Sequence, residues 1–101
     1  MTDVFTLNRR EHARKEASFE ARVTVGEAST HCTIEDISAG GAQIVAPLDL
    51  SQGREVILHL DRFGEVQSTV AWCRRGRLGL KFNEDPAVMA EMVLSIAMHG
   101  H

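Results

Sequence analysis

Arg10-x-x-x-Arg14 and Asp36-Ile37-Ser38-Ala39-Gly40-Gly41 are the two stretches of this 101-residue chain whose residue types and spacing can do chemistry. Two arginines at this spacing, in a polar segment ahead of the first strand, can close on one anion. Guanidinium forks bond phosphate and the O6/N7 edge of guanine in bidentate fashion, and their planes stack on purines. Arg9 adds a third fork immediately before them. In the second stretch, Asp36 can accept two N–H donors, as the Watson–Crick edge of guanine offers, and Ser38 adds a small hydroxyl. Gly40 and Gly41 permit unusual backbone angles and close approach of a ligand. Each stretch alone also has an ordinary reading: solvated charge for the arginines, turn chemistry for the second.

Other chemistries have less behind them. Histidines stand at 12, 31, 59, 99 and 101, and cysteines at 32 and 73, but no CxxC or HExxH pattern occurs. His31 and Cys32 are adjacent, so on a strand they face opposite ways and cannot share a metal ion. No metal site is expected, and the two cysteines are expected as free thiols in a reducing compartment. Asp36 and Ser38 have no histidine near them in sequence, so the chain is read as a non-enzyme. His12 lies inside the arginine motif and is open to either reading, ligand contact or solvated side chain.

The total composition suits one globular domain: 44% hydrophobic, 25% charged, with 8 Gly and 2 Pro. The net charge is −3. A general duplex-DNA binder would carry a basic excess, so nucleic acid is not an expected partner. Residues 1–22 sum to +1, residues 23–73 to −5, and residues 74–101 to +1. Positive charge gathers at Arg9 to Lys15 and at Arg74 to Lys81, which suggests a local anion site rather than a broad polyanion surface. No apolar run reaches the roughly 20 residues of a membrane span, and the N-terminus lacks a secretory core. A cytoplasmic location without membrane insertion is the expectation.

Alternation of apolar and polar residues predicts the elements that must hold these motifs. It marks six short strands, around Phe19–Val25, Cys32–Glu35, Ala42–Ile44, Glu55–Leu60, Val66–Trp72 and Leu78–Phe82. Phe19, Trp72 and Phe82 fall on the apolar faces and are expected in the core. Turn signals at Gly26 to Ser29, Ala39 to Gly41, Pro47 to Gly53, Phe63-Gly64 and Gly76 leave no room for crossover helices. The fold class is therefore all-β, an antiparallel barrel, with residues 18–101 as barrel and helix and residues 1–17 as a flexible arm. Asp85-Pro86 reads as N-cap and first helical residue of a helix running to about Met98. That helix is apolar nearly all round, so it is expected to plug the barrel mouth. Its remaining surface would meet a second subunit, as a homodimer, or be covered by Val4, Phe5 and Leu7.

Together, in this order and about twenty residues apart, the two motifs make the chain similar to the PilZ domain family. That family carries RxxxR in an N-terminal arm and (D/N)xSxxG after the second strand of a six-stranded barrel. Val70-Ala71-Trp72 resembles its V-x-W strand, and Leu78-Gly79-Leu80-Lys81-Phe82 its late G-x-x-F strand. The resemblance covers roughly residues 8–98 and implies binding of the bacterial second messenger cyclic di-GMP, with no cofactor. Arg10 and Arg14 would hold phosphates and guanine edges. Asp36, Ser38, Gly40 and Gly41 would surround a guanine, and Arg9 would accompany an intercalated ligand pair. The arm would order over the ligand, and an effector protein controlling motility, adhesion or exopolysaccharide would read the change. The alternatives are a PilZ-like protein adaptor that needs no ligand and a small RNA-binding barrel.

Overall fold

A computed structural model describes Arg14–Lys15 and residues 19–99, with Arg14, Lys15 and His99 described through their backbone alone. The elements in chain order are β1 (Arg14–Lys15), β2 (Phe19–Val25), β3 (Ala28–Ser38), β4 (Gly41–Val45), β5 (Glu55–His59), β6 (Glu65–Arg74), β7 (Arg77–Phe82) and α1 (Pro86–His99). A 3-10 turn, Asp61–Phe63, joins β5 to β6. Neighbouring strands run β3-β2-β5-β6-β7-β4, and β4 returns to β3, so six antiparallel strands close a barrel. Closure leaves that ring without a free edge.

The short β1 adds to this frame. It pairs the end of β3 on the side where β2 has already left, with Arg14 opposite Ser38 and Lys15 opposite Ile37. The second strand of the alternation is also longer than expected. It begins at Ala28, because Gly26 at φ +60° lets β2 turn back within two residues. It runs on through Ser38, so Asp36 lies on a strand and not in the turn.

The alternation supplies the core. Ile34, Ile37, Ile44, Leu58, Val66, Val70 and Leu78 are buried from five strands. Met89, Val93 and Ile96 of α1 join the same cluster, each at most 1% exposed. Their spacing puts them on one helix face, which lies against β1, β3 and the 3-10 turn. Burying each such side chain contributes roughly 1.5–3 kcal/mol. Asp85 caps the helix as its position predicts, accepting from Ala87 N–H at 2.8 Å through Oδ1. The opposite face keeps Val88, Leu94 and Met98 exposed. No helix among the described residues is long and apolar enough to cross a membrane.

Two strands break the alternation. β3 has a register shift between Ile34 and Asp36, which leaves Glu35 as the extra residue of a bulge. β6 has another between Val70 and Trp72, around Ala71. After each bulge the faces exchange. Ile37 points into the core and Asp36 out, while Trp72, expected in the core, is 42% exposed.

Gly40 and Gly41 correct a second expectation. Neither has a positive φ, so turn angle is not what they supply. A Cβ on Gly41 would overlap the Leu80 carbonyl of β7, whereas one on Gly40 would meet nothing. Gly41→Ala should therefore lower stability by about 2 kcal/mol, and Gly40→Ala by less than about 0.5 kcal/mol, in urea unfolding.

Cys32 gives a pH signature. Burial first, then the charge of Glu20, pushes its thiol from 9.0 up to about 11. The unfolded chain ionises this thiol before the folded one does. Stability from this group is complete below pH 9 and lost as pH rises toward 11. Unfolding free energies at pH 8 and pH 10.5 should differ by about 2 kcal/mol more in the natural chain than in Cys32→Ala.

Candidate functional site

The two bulges face each other across β4 and β7, and together they align one outward row. Asp36 pairs Gln43, Gln43 pairs Gly79, and Gly79 pairs Trp72. β3, β4 and β6 carry Asp36, Gln43 and Trp72 to the same outer surface, while Ile37, Ile44 and Leu78 beside the row stay in the core. Trp72 lies flat beside the backbone of β7 because Gly79 has no side chain: a Cβ there would overlap the indole. Glycine inside a strand commonly marks such a close approach.

An open pocket of about 430 Å³ covers this row. Asp36, Ser38 and Gly41 line it from one side, Trp72 and Ala71 from the other, and Gln43 and Gly79 form the floor. Ser38 Oγ donates to the Gly41 carbonyl at 3.5 Å, the long limit for such a bond, across the β3–β4 turn. Glu35, the extra residue of the β3 bulge, is turned aside from the pocket. Its Oε1 accepts from Gln43 Nε2 at 3.1 Å and lies 3.3 Å from Arg77 NH1. The bulge thus separates two adjacent carboxylates. Glu35 is tied into the wall, and Asp36 faces the pocket.

The sequence motifs meet here in part. Asp36, Ser38 and Gly41 all line the pocket, while Gly40 does not. Arg14 is brought to the same place by the backbone, since its register partner is Ser38. Arg9, Arg10 and His12 lie outside the described residues. Gln43, Ala71, Trp72 and Gly79 line the pocket without having been singled out for it. The available signals were Gly79 in mid-strand and the pattern Ile34-Glu35-Asp36-Ile37, where two polar residues in succession break the period of two.

Chemically, the pocket offers a carboxylate, a hydroxyl, an amide, an exposed indole and space between them. A flat base with donors on one edge matches that set: it would stack on Trp72 and donate to Asp36. The histidines serve elsewhere on the barrel. His59 Nε2 is 2.7 Å from Thr24 Oγ1 and its Nδ1 is 3.2 Å from Glu65 Oε2, while His31 Nε2 lies 3.2 Å from Arg22 NH1. Among the described residues no three His, Cys, Asp or Glu side chains group as metal ligands.

Several solved structures share this fold at low identity. The PilZ domain of CeSA from a cellulose-synthesizing bacterium matches with 21% identity and a TM-score of 0.64, over 84% of this chain and 94% of that one. The Borreliella burgdorferi PlzA protein, in complex with c-di-GMP, matches with 19% identity and a TM-score of 0.65, over 90% of this chain and 42% of that one. The Bacillus subtilis inhibitor of motility, MotI/DgrA, matches with 19% identity and a TM-score of 0.64, over 93% of this chain and 51% of that one. The chain thus spans about half the length of the last two. No curated protein matches it. The PilZ domain model matches residues 8–97, from just before Arg9 to within α1, and the chain belongs to the PilZ domain family.

Proposed function

We propose that this PilZ domain is a receptor for cyclic di-GMP and not an enzyme. The observation that carries the reading is the pocket in which Asp36, Ser38 and Trp72 converge, with the backbone of Arg14 laid beside Ser38. Asp36 would accept from the N1–H and N2–H of one guanine, and Trp72 would stack on its face. Arg10 and Arg14, with Arg9, would hold the phosphates. Pairing between Arg14 and Ser38 supports a continuous path from the arm to the pocket, since it leaves the preceding arginines only a few residues of chain away. Binding of c-di-GMP by the PlzA protein, a structural neighbour, supports the same ligand class.

Such a receptor signals by changing what an effector protein meets. The arm, residues 1–17, is the element that would order over the ligand. Because β1 also borders α1, a shift of the arm would be felt at the helix. A dimer through α1 would have to use Val88, Leu94 and Met98, since Met89, Val93 and Ile96 are buried in the barrel. Control of motility is one process in keeping with the inhibitor of motility among the neighbours.

Calorimetric titration with cyclic di-GMP, with GTP and cyclic GMP as controls, tests the receptor. Specific binding at micromolar concentration or tighter is expected, and its molar ratio distinguishes one ligand from an intercalated pair. No heat with cyclic di-GMP would leave the ligand-independent adaptor. Arg10→Ala/Arg14→Ala should weaken binding by at least about 100-fold, the loss of two charged hydrogen bonds, without changing the thermal midpoint. Trp72→Ala should weaken it by roughly 5- to 150-fold, the range for one base stacked on an aromatic side chain.

A further inference from the structure

We propose that the tip of the β6–β7 hairpin is a docking surface for a short acidic segment of a partner protein. Arg74, Arg75 and Arg77 are all exposed there, with only Gly76 between the second and third. Arg74 and Arg77 are direct register partners, and like charges so placed repel. Arg75 has φ +52° and Gly76 φ +81°. A turn of this type favours Asn-Gly or Asp-Gly, and a long side chain at its first position is disfavoured. Folding by itself would select neither the opposed arginines nor Arg75. Each of these unfavourable choices adds a positive charge at the same tip.

The charge is also largely unanswered. Arg77 reaches Glu35 at 3.3 Å. Among the described residues, the side chains of Arg74 and Arg75 have no hydrogen bond or ion pair. The island sits on a protein of net charge −3. A duplex or an anionic bilayer presents charge over an area much larger than one hairpin tip, and the acidic remainder of the barrel would oppose it. A few carboxylates on a short segment meet only the tip. Val45, 37% exposed, is the register partner of Arg77 on β4 and offers an apolar contact at the edge of the same patch. The partner segment therefore carries two or three carboxylates next to one apolar side chain. This surface lies one row along from Gln43, Gly79 and Trp72, and the inference holds whatever fills the pocket.

The test is fluorescence anisotropy of a labelled, C-terminally amidated Glu-Glu-Leu-Glu peptide titrated with the full chain at low and at physiological salt. Binding that weakens with salt is expected. Arg74→Glu/Arg75→Glu should weaken it by about tenfold or more, whereas Arg54→Glu, an exposed arginine elsewhere, should leave it within about twofold. Arg75→Gly should weaken the peptide while holding or raising the thermal midpoint, because it relieves the turn. The proposal is overturned if the peptide does not bind, or if all the arginine variants bind alike. It is also overturned if phosphatidylserine vesicles or duplex DNA bind more tightly than the peptide with the same arginine dependence. Loss of cyclic di-GMP binding in Arg74→Glu/Arg75→Glu would assign these arginines to the pocket and equally overturn it.

Discussion

Two extra residues in a closed barrel, Glu35 in β3 and Ala71 in β6, are the constraint on which the rest of the molecule depends. A strand with strict alternation that buries Ile34 must also bury residue 36, and one that buries Val70 must bury residue 72. An ionised aspartate in that position would lose its hydration with no charged partner to replace it, a cost of several kcal/mol. The bulges remove the conflict. Each lets its strand finish with an apolar residue inward while sending Asp36 or Trp72 outward. Because the ring is closed, the two exchanges are held in register with each other through β4 and β7. Asp36, Gln43, Gly79 and Trp72 then stand in one row.

Glycine is what allows that row to be flat. Gly79 admits the indole of Trp72 against the sheet, and Gly41 admits the Leu80 carbonyl where β4 crosses β7. Neither depends on an unusual φ. Both act by leaving out an atom where two groups need the same space. On the inner side the buried residues of these strands share one core with Met89, Val93 and Ile96 of α1, so the wall of the pocket is backed by the core. The pocket is therefore rigid on the barrel side. On the proposed reading the arginines of the arm would complete it, and the pairing of β1 to β3 sets the backbone of Arg14 opposite the motif serine.

Much of this was legible in the residues. The barrel strands follow from apolar alternation, and the helix from Asp85-Pro86 and the run after it. Asp36, Ser38 and Gly41 of the Asp-x-Ser-x-x-Gly motif line one pocket, and the backbone of Arg14 pairs beside it. What alternation could not show is where the alternation fails. A bulge is decided by which residue across the ladder is paired, and that depends on a strand distant in sequence. Trp72 therefore reads as core when β6 is taken alone and becomes a pocket wall only against Gly79. Asp36 reads as part of a turn until β4 pairs it with Gln43. The pairing of Arg14 with Ser38 is hidden for the same reason, since a two-residue strand has no periodicity of its own.

Trp72 is the sole tryptophan of the chain, so its solvent contact reports on the β6 bulge and on the pocket at once. Acrylamide quenching of its fluorescence, measured on the free protein and again with saturating cyclic di-GMP, tests the account most directly. A bulged β6 predicts a solvent-exposed emission that acrylamide quenches readily and that the ligand shields. A blue-shifted emission, insensitive to acrylamide and unchanged by cyclic di-GMP, would place the indole in the core and contradict both the bulge and the site built on it.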